Sequence, residues 1–310
     1  MDEKNMQFAN FNITFGEHDL PMLEHFEDII FPAFTSGLIR GKKGELPYYS
    51  FDDVRIREID DEYVLVGNFI KSTEYKVITT VTDGVLISSP ADVPTAPYSR
   101  FIVFLKNHRM VLVRNETNSP DIRSFQKTVR EILTKYIREA NRDRSKDEKL
   151  PIAIVHIVDI PLKDSIEQVL KDVNKVNWLK LRFFPLNNDL DPMPLAQVMK
   201  KDMQKVGSKT GNLVFNSPGS KQGIKDVIEA TGGMAVATLQ VTDSDGEKRR
   251  IKEGAFSSTT KVEYNGNLNA SGDAYLITQA KKDHTVTVTS PENLNIYNRM
   301  ISTIKKLMGQ

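Results

Sequence analysis

The chain has 310 residues, a formal net charge of +1 and no cysteine. Disulfides, thiolate nucleophiles and cysteine zinc sites are therefore excluded, and no apolar run approaches the roughly 20 residues that span a bilayer. The near-zero total conceals an asymmetry: residues 1–62 carry 14 acids against 6 bases, leaving 27 acids against 36 bases in the remainder. Such a split favours a polyanion partner for the basic part, although an unevenly charged solvated surface explains it equally well. The polar, acidic start is unlike a secretory leader, so the expected location is the cytoplasm.

In chain order, Phe11, Ile13 and Phe15 alternate with polar residues as in a half-buried strand. Asp19-Leu20-Pro21 opens a short helix with Leu23, Phe26, Ile30 and Phe34 on one side. A glycine-bearing loop over residues 35–47 leads to strands at 54–59, 63–70, 75–81 and 85–88. Asp83-Gly84 marks a hairpin between the last two. A proline-rich crossing, 89–97, precedes a second hairpin, 100–106 and 109–114, turning at Asn107-His108. These elements predict an acidic, mainly antiparallel β domain with one helix over residues 1–118.

Ser119-Pro120 breaks the pattern and offers the Ser119 hydroxyl as a helix cap. The longest amphipathic helix follows, with Phe125, Val129, Ile132, Leu133, Tyr136 and Ile137 on one face. Together with a charged tail it forms a connecting segment, 119–149. Residues 150–310 predict a basic, mixed α/β domain. It begins with a central strand at 151–160, a helix at 164–176 and a strand at 178–184. A loop at 187–194 leads to a helix at 195–206 that turns Val198, Met199 and Met203 inward. A short strand at 213–215 and a helix at 221–231, ended by Gly232-Gly233, come next. Strands are expected at 234–242, 248–252, 259–264, 274–279 and 285–289, then a final helix capped by Ser290. The fold class is α+β.

Signals for catalysis are sparse. The histidines are scattered, none with metal-ligand spacing, and His156 lies in an apolar run that suits a core residue. Gly207–Gly211 contains an anion-friendly loop, but it follows a helix and precedes a strand, the wrong polarity for a phosphate cradle. One enzymatic pattern is present: Gln279-Ala280-Lys281 at a strand end, with Asp273 and Glu263 upstream, as in Mg²⁺-dependent nucleases. Asp273 also fits an ordinary Ser-Gly-Asp turn.

Binding signals are broader. Phosphate-directed nucleic-acid binding needs Lys and Arg spread over a surface rather than a motif. The connecting helix offers Arg123, Lys127, Arg130 and Arg138, and the 195–206 helix offers Lys200, Lys201 and Lys205, with Lys209 and Lys221 nearby. Arg249, Arg250 and Lys252 form a third group, and Lys180 and Arg182 alternate with Leu179 and Leu181 on the other side of their strand. These point to a non-sequence-specific nucleic-acid partner, with double-stranded DNA the first expectation. A protein-interaction scaffold using the acidic N-terminal part is the third class of reading.

The order of pieces resembles the RexA family of phage-exclusion proteins. The residues that carry the likeness are the hairpin 101–114 followed by Ser119-Pro120-Asp121, the strand ending Phe215-Asn216-Ser217-Pro218, the turn 243–247, and the last helix with Tyr297, Arg299, Met300 and Ser302. The resemblance implies a two-domain, DNA-binding homodimer in abortive defence against bacteriophage, with a membrane protein as its effector partner.

Overall fold

Apolar residues occupy both faces of the N-terminal strand, and that double burial sets the architecture. The computed structural model describes residues 2–42, 44–187, 194–257, 259–264, 266 and 269–309. Strand β1 (Asp2–Phe15) sends Phe11, Ile13 and Phe15 into one core and Met6 and Phe8 into another. Burial of both faces, rather than one, corrects the half-buried strand expected there.

After β2 (Leu20–Pro21), residues 22–35 coil through a 3₁₀ and a π turn into α1 (Phe31–Thr35). Strands β3 (Ile39–Arg40), β4 (Tyr48–Ile59), β5 (Glu62–Thr82), β6 (Val85–Thr95), β7 (Tyr98–Phe104) and β8 (Arg109–Arg114) follow. Helix α2 (Ile122–Ala140) leads to β9 (Ala153–Asp159), α3 (Lys163–Leu170) and β10 (Val173–Phe183). Then come α4 (Pro194–Lys205), β11 (Gly211–Asn216), α5 (Lys221–Glu229), β12 (Ala235–Asp243) and β13 (Lys248–Lys252). The chain closes with β14 (Thr259–Tyr264), α6 (Ala270–Ala280) and α7 (Pro291–Met308).

The large sheet runs β14-β1-β8-β7-β5-β4-β3, with β9 and β2 also on β1 and β6 on β5. One face carries a cluster of phenylalanines, Phe11, Phe34, Phe51, Phe69, Phe101 and Phe125, covered by α1, α2 and α7. The other face, with Val64, Val66, Ile102 and Val113, is covered by α6 through Leu276 and Ile277. The fold is thus α+β, as expected.

The smaller sheet, β11-β10-β12-β13, is antiparallel throughout. Helices α3, α4 and α5 cover one of its faces through Ile166, Met203, Ile224 and Ile228, packed on Leu179, Leu181 and Leu239. No helix among the described residues covers the other face.

Several expectations are corrected. The stretch 274–279 is helix, not strand: Asn269 caps it by accepting from the Gly272 amide, and Leu276, Ile277 and Ala280 line one face. A short apolar run has no decisive period, so the cap decides. Residues 285–289 hold a 3₁₀ turn, His284–Val286, instead of a strand. The helix expected over 164–176 stops at Leu170, and Val173 and Val176 already belong to β10. The cap of α2 is Asp121, which accepts from the Ser124 amide; the Ser119 hydroxyl takes the Glu116 amide instead. Val198, expected inward, is 56% exposed. The loop at 187–194 lies outside the described residues from 188 to 193.

Boundaries at 118 and 149 do not divide two bodies. Strands β9 and β14 return to β1, and α7 contributes Ile296, Tyr297 and Ile304 to the phenylalanine core. Among the described residues strand β9 pairs with β1 alone, so it is not the sheet's centre. Its run is apolar because Val155 and Ile157 meet the large core while Val158 meets the small one. The proline-rich crossing is strand: β6 continues to Thr95 and, among the described residues, pairs only with β5. Beyond Ser72 these two strands form an arm with Tyr75, Ile78, Val81 and Leu86 each more than 60% exposed. Asp83 and Gly84 turn its tip with φ of 51° and 76°, the double left-handed geometry of a two-residue hairpin.

Candidate nucleic-acid interface

Strand alternation decides what the uncovered face of the small sheet presents. On β10 the leucines Leu179 and Leu181 point to the helices, so Trp178, Lys180 and Arg182 point the other way. A bulge next to Val176 keeps Lys175 on that side, opposite Thr242. Register then assembles rows across the strands. Asn216, Trp178, Gln240 and Arg250 form one; Val214, Lys180, Thr238 and Lys252 the next; Asn212, Arg182 and Val236 a third; Lys175, Thr242 and Lys248 close the far end.

Lys175, Lys180, Arg182, Lys248, Arg250 and Lys252 are basic, and no Asp or Glu occupies any position of these rows. None of these six bases makes an ion pair with a described residue. The Arg250 guanidinium lies 5.8 Å from the centre of the Trp178 ring. Same-face residues along a strand stand about 6.7 Å apart, and β10 and β13 flank β12 at two strand spacings of about 4.8 Å each, so the bases form two parallel lines on either side of Thr238, Gln240 and Thr242. Sequence reasoning found four of the six; Lys175 and Lys248 were missed because a bulge and a cross-strand register put them there. Trp178 was read only as a strand residue.

The other basic candidates separate. Lys127, Arg138, Lys201 and Lys205 are exposed, and Lys200 is half-buried; none forms an ion pair among the described residues. Arg123 faces Glu253 at 3.8 Å. Arg130 donates to the Val155 carbonyl at 2.9 Å, and Gln126 to the Ile157 carbonyl at 3.0 Å, so together they cap the free edge of β9. Lys209 is clamped to Asp19 at 2.9 Å and to the Glu17 carbonyl. Lys221 caps the end of α3 at the Leu170 carbonyl, 2.9 Å away. Arg249 lies on the helix-covered side, beside Val241, and is paired with Asp243. These five are tied to structure and do not join the open face.

The nuclease pattern loses its geometry. Gln279 and Lys281 end a helix, and Lys281 is paired with Asp60 and Glu62 at 3.2 and 3.1 Å. Asp273 is fully buried and holds the equally buried Arg100 by two bonds, Nε to Oδ1 at 2.9 Å and Nη2 to Oδ2 at 3.0 Å. Asn68 accepts from the same guanidinium at 2.8 Å. Glu263 stands on β14 opposite Glu3. Four residues expected to share a Mg²⁺ site therefore serve separate purposes, and the described residues contain no cluster of three metal-ligating side chains.

Two titrating groups lie where β9 runs between the sheets. Burial pushes the Asp159 carboxyl up to about 6, against the pull of the Ser257 hydroxyl and Arg123. Burial, with Arg130 and Arg182 nearby, pushes His156 down to about 4, and its ring stacks on Phe184 at 4.1 Å. His156 is thus neutral at physiological pH, and it is half-buried against Phe184 rather than the core residue expected.

No protein-family model, curated protein or solved structure matches the chain. No helix among the described residues is long and apolar enough to cross a membrane.

Proposed function

We propose that this protein binds nucleic acid, without reading its sequence, through the uncovered face of the β10–β13 sheet. One observation carries the reading: six bases and no acid share a single side of four strands, with no ion pair to a described residue. Lysines whose charge is not neutralised by the protein release counterions when phosphates approach them, which is the main driving force of non-specific binding. No base-edge motif accompanies them, so the attraction is to backbone.

The test is a salt titration. Affinity for a nucleic acid of arbitrary sequence should fall steeply and linearly in log–log form as salt rises. Lys180→Glu with Lys252→Glu, two positions of one row, should weaken binding equally on all sequences and flatten the slope by about 2. Lys200→Glu with Lys201→Glu should leave binding nearly unchanged, because α4 packs on the opposite face of that sheet. Absence of binding to any nucleic acid at low salt would sink the reading.

The resemblance of the sequence's order of pieces to the RexA family leads us to place this binding in the restraint of invading phage DNA, by a homodimer coupled to a membrane effector. The expected outcome is reduced phage plating on cells that express the protein with its genomic neighbours, restored by the Lys180/Lys252 double variant. Equal protection by that variant would separate defence from the sheet face.

A further inference from the structure

Phosphate attraction does not choose between paired and unpaired strands, but Trp178 does. It is the only tryptophan of the chain, and it stands on the side of β10 away from the leucines that pack under the helices. Its row neighbours are polar, Asn216 on one side and Gln240 on the other, with the Arg250 guanidinium 5.8 Å from the ring centre. A half-buried indole among amides and cations adds little to the core. It does offer an aromatic surface along one of these lines of positive charge, the combination on which unpaired bases stack.

Dimensions point the same way. Four strands span three inter-strand spacings of about 4.8 Å. The sheet is therefore roughly 14 Å wide before side chains are counted, more than the major groove of about 12 Å. A duplex meeting this face offers only its phosphates, because its bases are stacked inside. An unpaired strand can lay its bases flat on the ring while its phosphates meet the neighbouring rows.

We infer that the open sheet face takes single-stranded nucleic acid, with one base stacked on Trp178 and the adjoining phosphates held by Lys180, Arg182, Arg250 and Lys252. This rests on the nucleic-acid reading above and specifies its substrate.

Because the chain has one tryptophan, its emission reports this site alone. The full chain is titrated at about 50 mM salt, in the range where phosphate contacts are strong, with oligo(dT) and with a blunt duplex of equal length. Oligo(dT) should bind more tightly than the duplex and quench the emission. Trp178→Ala should weaken oligo(dT) binding by roughly tenfold to a hundredfold, Trp178→Phe by much less, and neither should change the salt slope or the melting temperature appreciably. Tighter binding of the duplex overturns the inference, as does oligo(dT) binding with unchanged emission and full affinity in Trp178→Ala; in both cases nucleic-acid binding itself stands. If neither probe binds, the proposed function falls with it.

Discussion

Arg100 and Asp273 show how far a residue's role depends on what the chain brings to it. Both are fully buried, 173 positions apart, and joined by two hydrogen bonds. A buried pair contributes little net stability, but removing one partner leaves the other with a single longer ion pair, Arg100 to Asp53 at 3.3 Å or Asp273 to Arg57 at 3.5 Å, at a cost of up to about 3–5 kcal/mol. Asp273→Ala should therefore lower the denaturant midpoint steeply, and Arg100→Met combined with Asp273→Leu should recover a large part of the loss. A single variant as stable as the parent would refute the pairing.

Asp159 allows a second prediction at this scale. Its carboxyl keeps a proton to about pH 6 in the fold, whereas an unfolded chain releases it near 3.9. Between those values the folded state holds more protons, so this group lowers stability as pH rises through the window, by about 2–3 kcal/mol in all. His156 acts in the opposite sense: its folded value of about 4 lies below the ordinary 6.5, so its contribution is present above pH 6.5 and lost as pH falls toward 4. The two slopes overlap and partly cancel. Asp159→Asn removes only the first, so its melting-temperature advantage over the parent should grow from pH 4 to pH 7. A constant difference across that range would contradict the assignment.

Among the elements, hairpins and amphipathic helices were legible because their signals are local. Asp83-Gly84 demanded a left-handed pair, and α2 carries its apolar face at regular spacing. The 274–279 stretch was misread because Tyr275 and Ile277 alternate as well as they spiral. The arm's hairpin was legible, but the continuation of β6 to Thr95 was not, because Pro90 and Pro94 suggest a crossing, although an edge strand tolerates proline. None of the arm's described side chains beyond Ser72 belongs to a core cluster. Replacing residues 74–94 with a two-residue turn removes no core contact, so it should leave the melting temperature within about 4 °C, the shift that about 1 kcal/mol produces in a larger domain. A large drop would show that the arm supports the sheet.

Across the whole molecule, the two sheets are coupled by polar bonds as well as by β9. Asn12 on β1 donates to the Pro185 carbonyl and accepts from the Asn187 amide, both at 2.6 Å, while Asn187 accepts from the Met22 amide at 2.9 Å. These groups are buried, so each left unpaired costs about 1–3 kcal/mol. Asn12→Ala should loosen the junction, seen as faster amide exchange at Met22 and Asn187 with the phenylalanine core still protected. Unchanged exchange there would mean that the asparagines are not what couples the sheets.

By itself the sequence determined the α+β class, the positions of most strands and helices, and the surplus of positive charge after the first strands. Composition and local periodicity suffice for that, because helix and strand spacing are properties of neighbouring residues. It could not say which bases share a face. Lys175 and Lys248 meet across Thr242 only through a bulge and a cross-strand register, while Arg249 and Arg250, adjacent in the chain, point to opposite sides. Nor could it show that Asp273 would meet Arg100, or that β9 and β14 would return to β1. Those pairings were chosen by burial, since β1 is apolar on both faces and only strands and helices from distant parts of the chain cover it.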